Sequence, residues 1–301
     1  KANPTIENVQ EGVAFCKKSG ADIIVTIGDD KITLAGAAAA SITRPNIIGE
    51  KESGIIANTL SGVVVTGTED NDTITNKGSN FTIVALAGDD SIDNGGKGHE
   101  TSILGGEGND YINTGYSNSA SIDGGDDNDY ILSNGNYNVI DGGKGRDTLN
   151  YQWGTTSSIS GGEGNDVINL TSTSNTTTTG GLGNDTINLD TASDALIQYM
   201  PGDGDDLVIG FDIDSTLSIG SSMFSTLING KDVIVTVEDG NITLQGAAEL
   251  ETVNVVGTQE EEGSYVNFTV ASSEVTYETD VTERIIKKSY QFNKDFSFLS
   301  H

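Results

Sequence analysis

The sequence predicts an all-β chain, a parallel β-solenoid closed by a C-terminal β cap. Three observations carry that prediction. A short glycine and aspartate phrase recurs eight times between Gly67 and Ile209. Its final aspartates fall at 72, 90, 110, 129, 147, 166, 185 and 206, so the spacings are 18, 20, 19, 18, 19, 19 and 21 residues. A large apolar residue sits two places after every one of them: Ile74, Ile92, Ile112, Ile131, Leu149, Ile168, Ile187 and Val208. Self-similarity at such a period marks a chain built from stacked identical turns, each covering its neighbour's core.

Composition narrows the function before any motif is weighed. The 301 residues hold 45 acidic and 15 basic side chains, a net charge of −30. A surface so acidic repels phosphates, which excludes nucleic acid as a partner. No apolar run approaches the roughly 20 residues of a membrane span. The lone Cys16 excludes an internal disulfide framework, and His99 and His301 alone cannot build a histidine zinc or copper site. Lys1 is not followed by a secretory signal, which reads as a fragment or as a chain exported by another route. Such charge alone would predict disorder. Yet 35% of the residues are hydrophobic and fall in register, so the order is expected to depend on a counterion.

The best copies read Gly105-Gly106-Glu107-Gly108-Asn109-Asp110, Gly124-Gly125-Asp126-Asp127-Asn128-Asp129 and Gly142-Gly143-Lys144-Gly145-Arg146-Asp147. Two more follow as Gly161-Gly162-Glu163-Gly164-Asn165-Asp166 and Gly180-Gly181-Leu182-Gly183-Asn184-Asp185. Weaker copies end at Asp72 and Asp90 before these, and at Gly204-Asp205-Asp206 after them. Glycine permits positive φ and lets carbonyl oxygens turn toward a common centre. Calcium takes six to eight oxygens, which a carbonyl-lined turn and an aspartate can supply. The residues after each aspartate favour a short strand. A second apolar row, Ile103, Ile122, Ile140 and Ile159, precedes the loops, so two ladders face one narrow core.

This phrase resembles the nonapeptide Gly-Gly-x-Gly-x-Asp-x-U-x of the RTX, or haemolysin-type calcium-binding, family, over about half of the chain. The resemblance implies a β-roll, bound Ca²⁺, and a bacterial protein secreted by the type I route to the cell exterior or surface. Carried onto this chain, it assigns the metal to the loop glycines, their third-position residues Glu107, Lys144, Glu163 and Leu182, and the aspartate row from Asp72 to Asp206. The family's most regular members carry a calcium loop on both edges of each turn. Here the opposite half-turns, such as Thr114-Gly115-Tyr116-Ser117-Asn118 and Asn134-Gly135-Asn136-Tyr137-Asn138, are turn-formers without ligands. A single row of ions is therefore expected, at most about seven between eight loops. Asp70, Ala85-Leu86 and Asp127 interrupt the glycine pattern of individual loops.

The flanks divide as follows. Residues 63–210 are the calcium-binding roll and 211–257 its cap, where Asp232–Val237 and Ile242-Thr243-Leu244 flank Glu238-Asp239-Gly240-Asn241 as a hairpin. A solenoid end exposes unpaired edges and needs such a cover. Residues 21–38 match 231–248 at 11 of 18 positions. Residues 21–62 thus read as the remnant cap of a preceding module with a linker. Residues 1–20 show helical spacing in Ile6, Val9, Val13 and Cys16. Residues 2–28 resemble a short segment of iron-containing alcohol dehydrogenases. Asp29 and Asp30 stand where that family has glycines and a serine, and would repel a pyrophosphate, so no nucleotide function follows. In the tail, residues 258–301, two strands are expected around Tyr265 to Val270 and Val275 to Tyr277. Its end, Asp295-Phe296-Ser297-Phe298-Leu299-Ser300, reads as an export signal or as a frayed amphipathic end.

No catalytic pattern emerges. The chain lacks a Gly-x-Ser-x-Gly elbow and a phosphate-binding Gly-x4-Gly-Lys-Ser/Thr loop. Its aspartate pairs sit in the repeats, where calcium accounts for them better than glycoside hydrolysis does. Trp153 reads equally as a surface contact or as a packed side chain. The chain is expected to be no enzyme. It is a calcium-dependent module, either a structural, adhesive or spacer element with cell-surface or self-association partners, or the secretion and folding tail of a toxin, protease or lipase.

Overall fold

The computed structural model describes residues 23–27, 30–34, 46–48, 55–95, 99–219, 224–258, 264–271, 274–281 and 284–291. Contacts divide the chain into two units, Lys1–Pro45 and Asn46–His301. The second is a parallel β-solenoid, as the repeat predicts, with two sheets of 12 and 14 strands facing each other.

In the first sheet, strands Ile55–Asn58, Thr73–Asn76, Ser91–Asn94, Tyr111–Tyr116, Tyr130–Asn134, Thr148–Gln152, Val167–Thr171, Thr186–Asn188 and Asp205–Ile209 lie parallel in that order. The second sheet interleaves Asn46–Ile48, Val64–Thr66, Thr82–Ala87, Ser102–Glu107, Ser121–Asp126, Val139–Lys144, Ser158–Glu163, Thr177–Leu182, Leu196–Tyr199 and Thr216–Ile219. Register follows the repeat: Ile112 pairs with Ile131, Ile131 with Leu149, and Leu149 with Ile168. That row is fully buried from Ile74 to Val208. The facing row runs Val65, Ile83, Ile103, Ile122, Ile140, Ile159, Thr178, Ile197 and Leu217, each at most 2% exposed. Side-chain alternation puts every second residue into this core. Thr178 is the one polar step in it, and its hydroxyl has no partner.

A third buried row changes character along the axis. Asn58, Asn76 and Asn94 form an amide ladder in which Asn76 Nδ2 donates to Asn94 Oδ1 at 3.0 Å. Further along, Thr114 and Ser133 bond through their hydroxyls at 3.0 Å, and Tyr151, Leu170 and Leu189 complete the row. Stacked amides satisfy one another coil by coil, so polar residues can line the interior.

The solenoid begins before the glycine phrase does. Asn46–Ile48 and Ile55–Asn58, inside the stretch expected to hold a remnant cap and linker, pair parallel with Val64–Thr66 and Thr73–Asn76. Stacking needs only the apolar alternation, which Ile56 supplies without a loop motif. At the other end Gly240–Gln245 lies parallel to Asp205–Ile209 and is followed outward by antiparallel Asp232–Val237 and Phe224–Asn229. Beyond Asn254–Thr258 the second sheet continues through three antiparallel strands, Ser264–Ala271, Glu274–Val281 and Arg284–Gln291, where two were expected. The helical reading of residues 1–20 and the export-signal reading of residues 295–300 fall outside the described residues.

The first unit contains the hairpin Ile23–Ile27 and Asp30–Leu34. Its register, Ile23 with Leu34 and Ile27 with Asp30, is that of the cap, Val233 with Leu244 and Val237 with Gly240, shifted by the same sequence offset.

Candidate metal centre

The eight phrase aspartates line one edge of the solenoid, where the second sheet turns into the first. All are buried, with Asp147 fully inaccessible and Asp206 the most exposed at 5%. From Asp72 to Asp185, each backbone amide in the row donates to the carboxylate of the next coil. Asp72 N–H donates to Asp90 Oδ1 at 2.7 Å, Asp110 N–H to Asp129 Oδ1 at 2.8 Å, and Asp166 N–H to Asp185 Oδ1 at 2.7 Å. The remaining steps repeat this, ending with Asp185 N–H on Asp206 Oδ1 at 2.9 Å.

From Asp90 to Asp185 one oxygen of each carboxylate is thereby satisfied and the other is not, while Asp72 Oδ2 accepts the Thr68 amide at 2.6 Å. Oδ2 of Asp90, Asp110, Asp129, Asp147, Asp166 and Asp185, and Oδ1 of Asp72, are buried without any partner. Their surroundings make the deficit sharper. A Cβ on Gly105 would lie 2.3 Å from both Asp110 Oδ2 and the carbonyl oxygen of Gly124. The same convergence recurs at Gly124 with Asp129 and the Gly142 carbonyl, at Gly142 with Asp147 and the Gly161 carbonyl, and at Gly161 with Asp166 and the Gly180 carbonyl. At each step two acceptors crowd one point, which only the absence of a side chain leaves open. An unpaired buried carboxylate costs several kcal/mol.

Electrostatics records that cost. Loss of water pushes the carboxyl of Asp90 up to about 7 and that of Asp129 up to about 8. It raises Asp147 to about 7, Asp110 and Asp185 to about 6, and Asp206 to about 8, and Asp166 rises as well. In each case the accepted amide hydrogen bond offsets part of the rise and neighbouring carboxylates add to it. A stack of buried acceptors with raised pKa values needs either protons or a hard cation.

The donor set fits calcium. Every converging atom is a hard oxygen, half of it carboxylate and half backbone carbonyl. Among the described residues no three His, Cys, Asp or Glu side chains cluster as ligands, so a cation here would draw heavily on backbone carbonyls. The third-position residues hold a different place. Glu107, Lys144, Glu163 and Leu182 direct their side chains to solvent. The carbonyls of Glu107, Glu163 and Leu182 accept the amides of Gly88, Gly145 and Gly164 in the preceding coil, at 2.8, 2.7 and 2.6 Å, and the Asp126 carbonyl accepts that of Gly108 at 3.2 Å. Lys144 Nζ pairs with Asp126 Oδ1 at 2.8 Å.

The second and fourth glycines serve the backbone. Gly164 has φ +134°, and a Cβ there would fall 1.5 Å from the Gly145 carbonyl oxygen. Gly106, Gly108, Gly143, Gly145, Gly162, Gly181, Gly183 and Gly204 share positive φ and close approach. Where the phrase lapses, Leu86 and Asp127 adopt positive φ themselves, at 90° and 79°.

A further row escaped the motif reading. The residue before each aspartate accepts an amide from the next coil: Asn71 Oδ1 from Asp89, Asp89 from Asn109, Asn109 from Asn128, and Asn128 from Arg146, at 2.8 to 3.2 Å. It resumes with Asn165, Asn184 and Asp205. Its signal was present as Asn or Asp in every copy but one. Arg146 has no acceptor to offer Asn165.

Through its middle coils the opposite edge closes on amide side chains, and at the last coil a carboxylate, Asp212, accepts the turn amide of Ser215, at 2.8 Å. Asn136 N–H donates to Asn118 Oδ1 at 2.7 Å, and Thr155 N–H to Asn136 Oδ1 at 3.0 Å. Trp153 is exposed there and stacks on Tyr116 with ring centroids 6.3 Å apart.

No protein-family model matches the chain, and no curated protein does. Among solved structures, an extracellular lipase LipA from Serratia marcescens is similar over 61% of this chain and 37% of the lipase, with 17% identity and a TM-score of 0.32. The likeness thus takes in well under half of the lipase.

Proposed function

We propose that this chain is an extracellular, calcium-binding β-roll of the RTX type, a non-catalytic module whose folding is coupled to binding a row of Ca²⁺ ions. The observation that carries the reading is the file of seven buried carboxylate oxygens without partners along one edge. The carboxylates of Asp72, Asp90, Asp110, Asp129, Asp147, Asp166 and Asp185, with carbonyls of the loop glycines, would hold the ions. Bound calcium would supply the positive charge that these acceptors lack. Without it, mutual repulsion and desolvation keep the chain extended and suited to export. Extracellular calcium lies in the range at which such modules bind, and ligand that binds only the folded state stabilises it.

The role within a larger protein is that of a structural, adhesive or spacer element. The hairpin at Ile23–Ile27 and Asp30–Leu34 supports that role, since its register repeats the cap that closes this roll. Two caps in one chain fit a succession of modules better than a single secretion tail.

Calcium titration followed by far-ultraviolet circular dichroism tests the reading, with magnesium as control. A cooperative transition from coil to β in calcium alone is expected. A chain fully folded in chelator at neutral pH would refute it.

A further inference from the structure

The cation row has an end, and one side chain marks it. Gln198 pairs with Thr179, so Tyr199, one place further on, stands opposite Gly180 at the position held in earlier coils by the first glycine of the loop. Tyr199 is fully buried. Its hydroxyl donates to the Gly204 carbonyl at 2.5 Å. The same carbonyl also accepts the Asn241 amide at 3.1 Å. Gly204, assigned to the metal by the repeat, therefore has its oxygen fully engaged.

Three further features change at this step. At Gly180 the atoms nearest to an added Cβ all belong to Asp185, whereas at Gly105, Gly124, Gly142 and Gly161 the next coil's carbonyl stands among them at 2.3 to 2.4 Å. Asp206 contributes no unpartnered buried oxygen. In the following coil its register partner is Ile242, a fully buried apolar residue where the row would need another carboxylate.

From these we infer that the row of cation positions stops before the coil of Tyr199 to Asp206, and that Tyr199 takes the place of the next ion. The inference rests on the calcium reading above and deepens it. The phenol occupies that position and adds a second donor to the Gly204 carbonyl that the Asn241 amide already engages, so this oxygen is satisfied without a cation. The lengthened loop Met200-Pro201-Gly202-Asp203 follows from this. It is the widest spacing in the repeat, 21 residues, and Asp203 Oδ2 accepts the Met200 amide at 2.7 Å to turn it.

Counting calcium per chain by native mass spectrometry on the full chain tests the assignment. Tyr199→Gly is expected to bind one ion more than the wild type, and Tyr199→Phe the same number. Asp206→Asn, at a residue this assignment places outside the row, is expected to keep the wild-type count, while Asp166→Asn lowers it. A folded Tyr199→Gly with an unchanged count, or a lowered count in Asp206→Asn, would overturn the inference. Should Tyr199→Gly not fold, the Asp206→Asn and Asp166→Asn pair still decides. A wild-type chain that binds no calcium would instead refute the function proposed above.

Discussion

The two edges of the roll turn the same chain through the same angle with opposite chemistry. On the loop edge, glycines at positive φ carry the backbone, and buried aspartates keep seven oxygens unpartnered. On the other edge, Asn80, Ser119, Thr156, Asn175 and Asp194 take positive φ without being glycine, and amides and hydroxyls bond from coil to coil. The unpartnered buried atoms there are the hydroxyls of Thr101 and Thr173, which are neutral. An amide side chain both donates and accepts, so a stack of them is self-sufficient. An ionised carboxylate only accepts, so its stack is complete only with a cation or a proton. The loop edge is therefore the conditional half of the fold.

Proton supply is the strongest way to break this contrast. The pKa values of Asp90, Asp129, Asp185 and Asp206 are raised on folding, so in chelator the stability they contribute is fully present below about pH 4, the unfolded value, and is lost as pH rises through about 6 to 8. Circular dichroism in chelator is expected to show β structure at acidic pH and coil at pH 8. In calcium the dependence reverses at the acid end, because protonation competes with the ion.

Backbone geometry separates the edges next. Gly164→Ala forces a Cβ against the Gly145 carbonyl at φ +134° and is expected to cost about 3 kcal/mol in calcium, read by denaturant unfolding. Thr156→Gly on the opposite edge relieves a strained φ of 54° and should stabilise by about 1 kcal/mol. Carboxylate removal follows. Asp166→Ala should raise the calcium midpoint of folding roughly tenfold or more, while Asp194→Ala, off the loop row, leaves it nearly unchanged. Equal shifts would defeat the single-row arrangement. The smallest effect sharpens the comparison: Arg146→Asn restores the missing acceptor for Asn165 and should add roughly 1 kcal/mol to stability in calcium.

Much of this was legible in the residues alone. The repeat period, the apolar positions two places past each aspartate and the glycine loops depend on short-range spacing, which one strand and one turn fully express. The absence of the ligand pattern from Asn134-Gly135-Asn136-Tyr137-Asn138 showed likewise that the glycine and aspartate phrase recurs on one edge alone. The ladder before the aspartates was visible as Asn and Asp, yet its meaning was not, because each bond joins residues 18 to 36 places apart. Which carboxylate oxygen is satisfied, where the solenoid begins and how Tyr199 closes the row were decided only by stacking. These depend on register between coils and on the volume left between them, quantities that exist only once neighbouring turns are in contact.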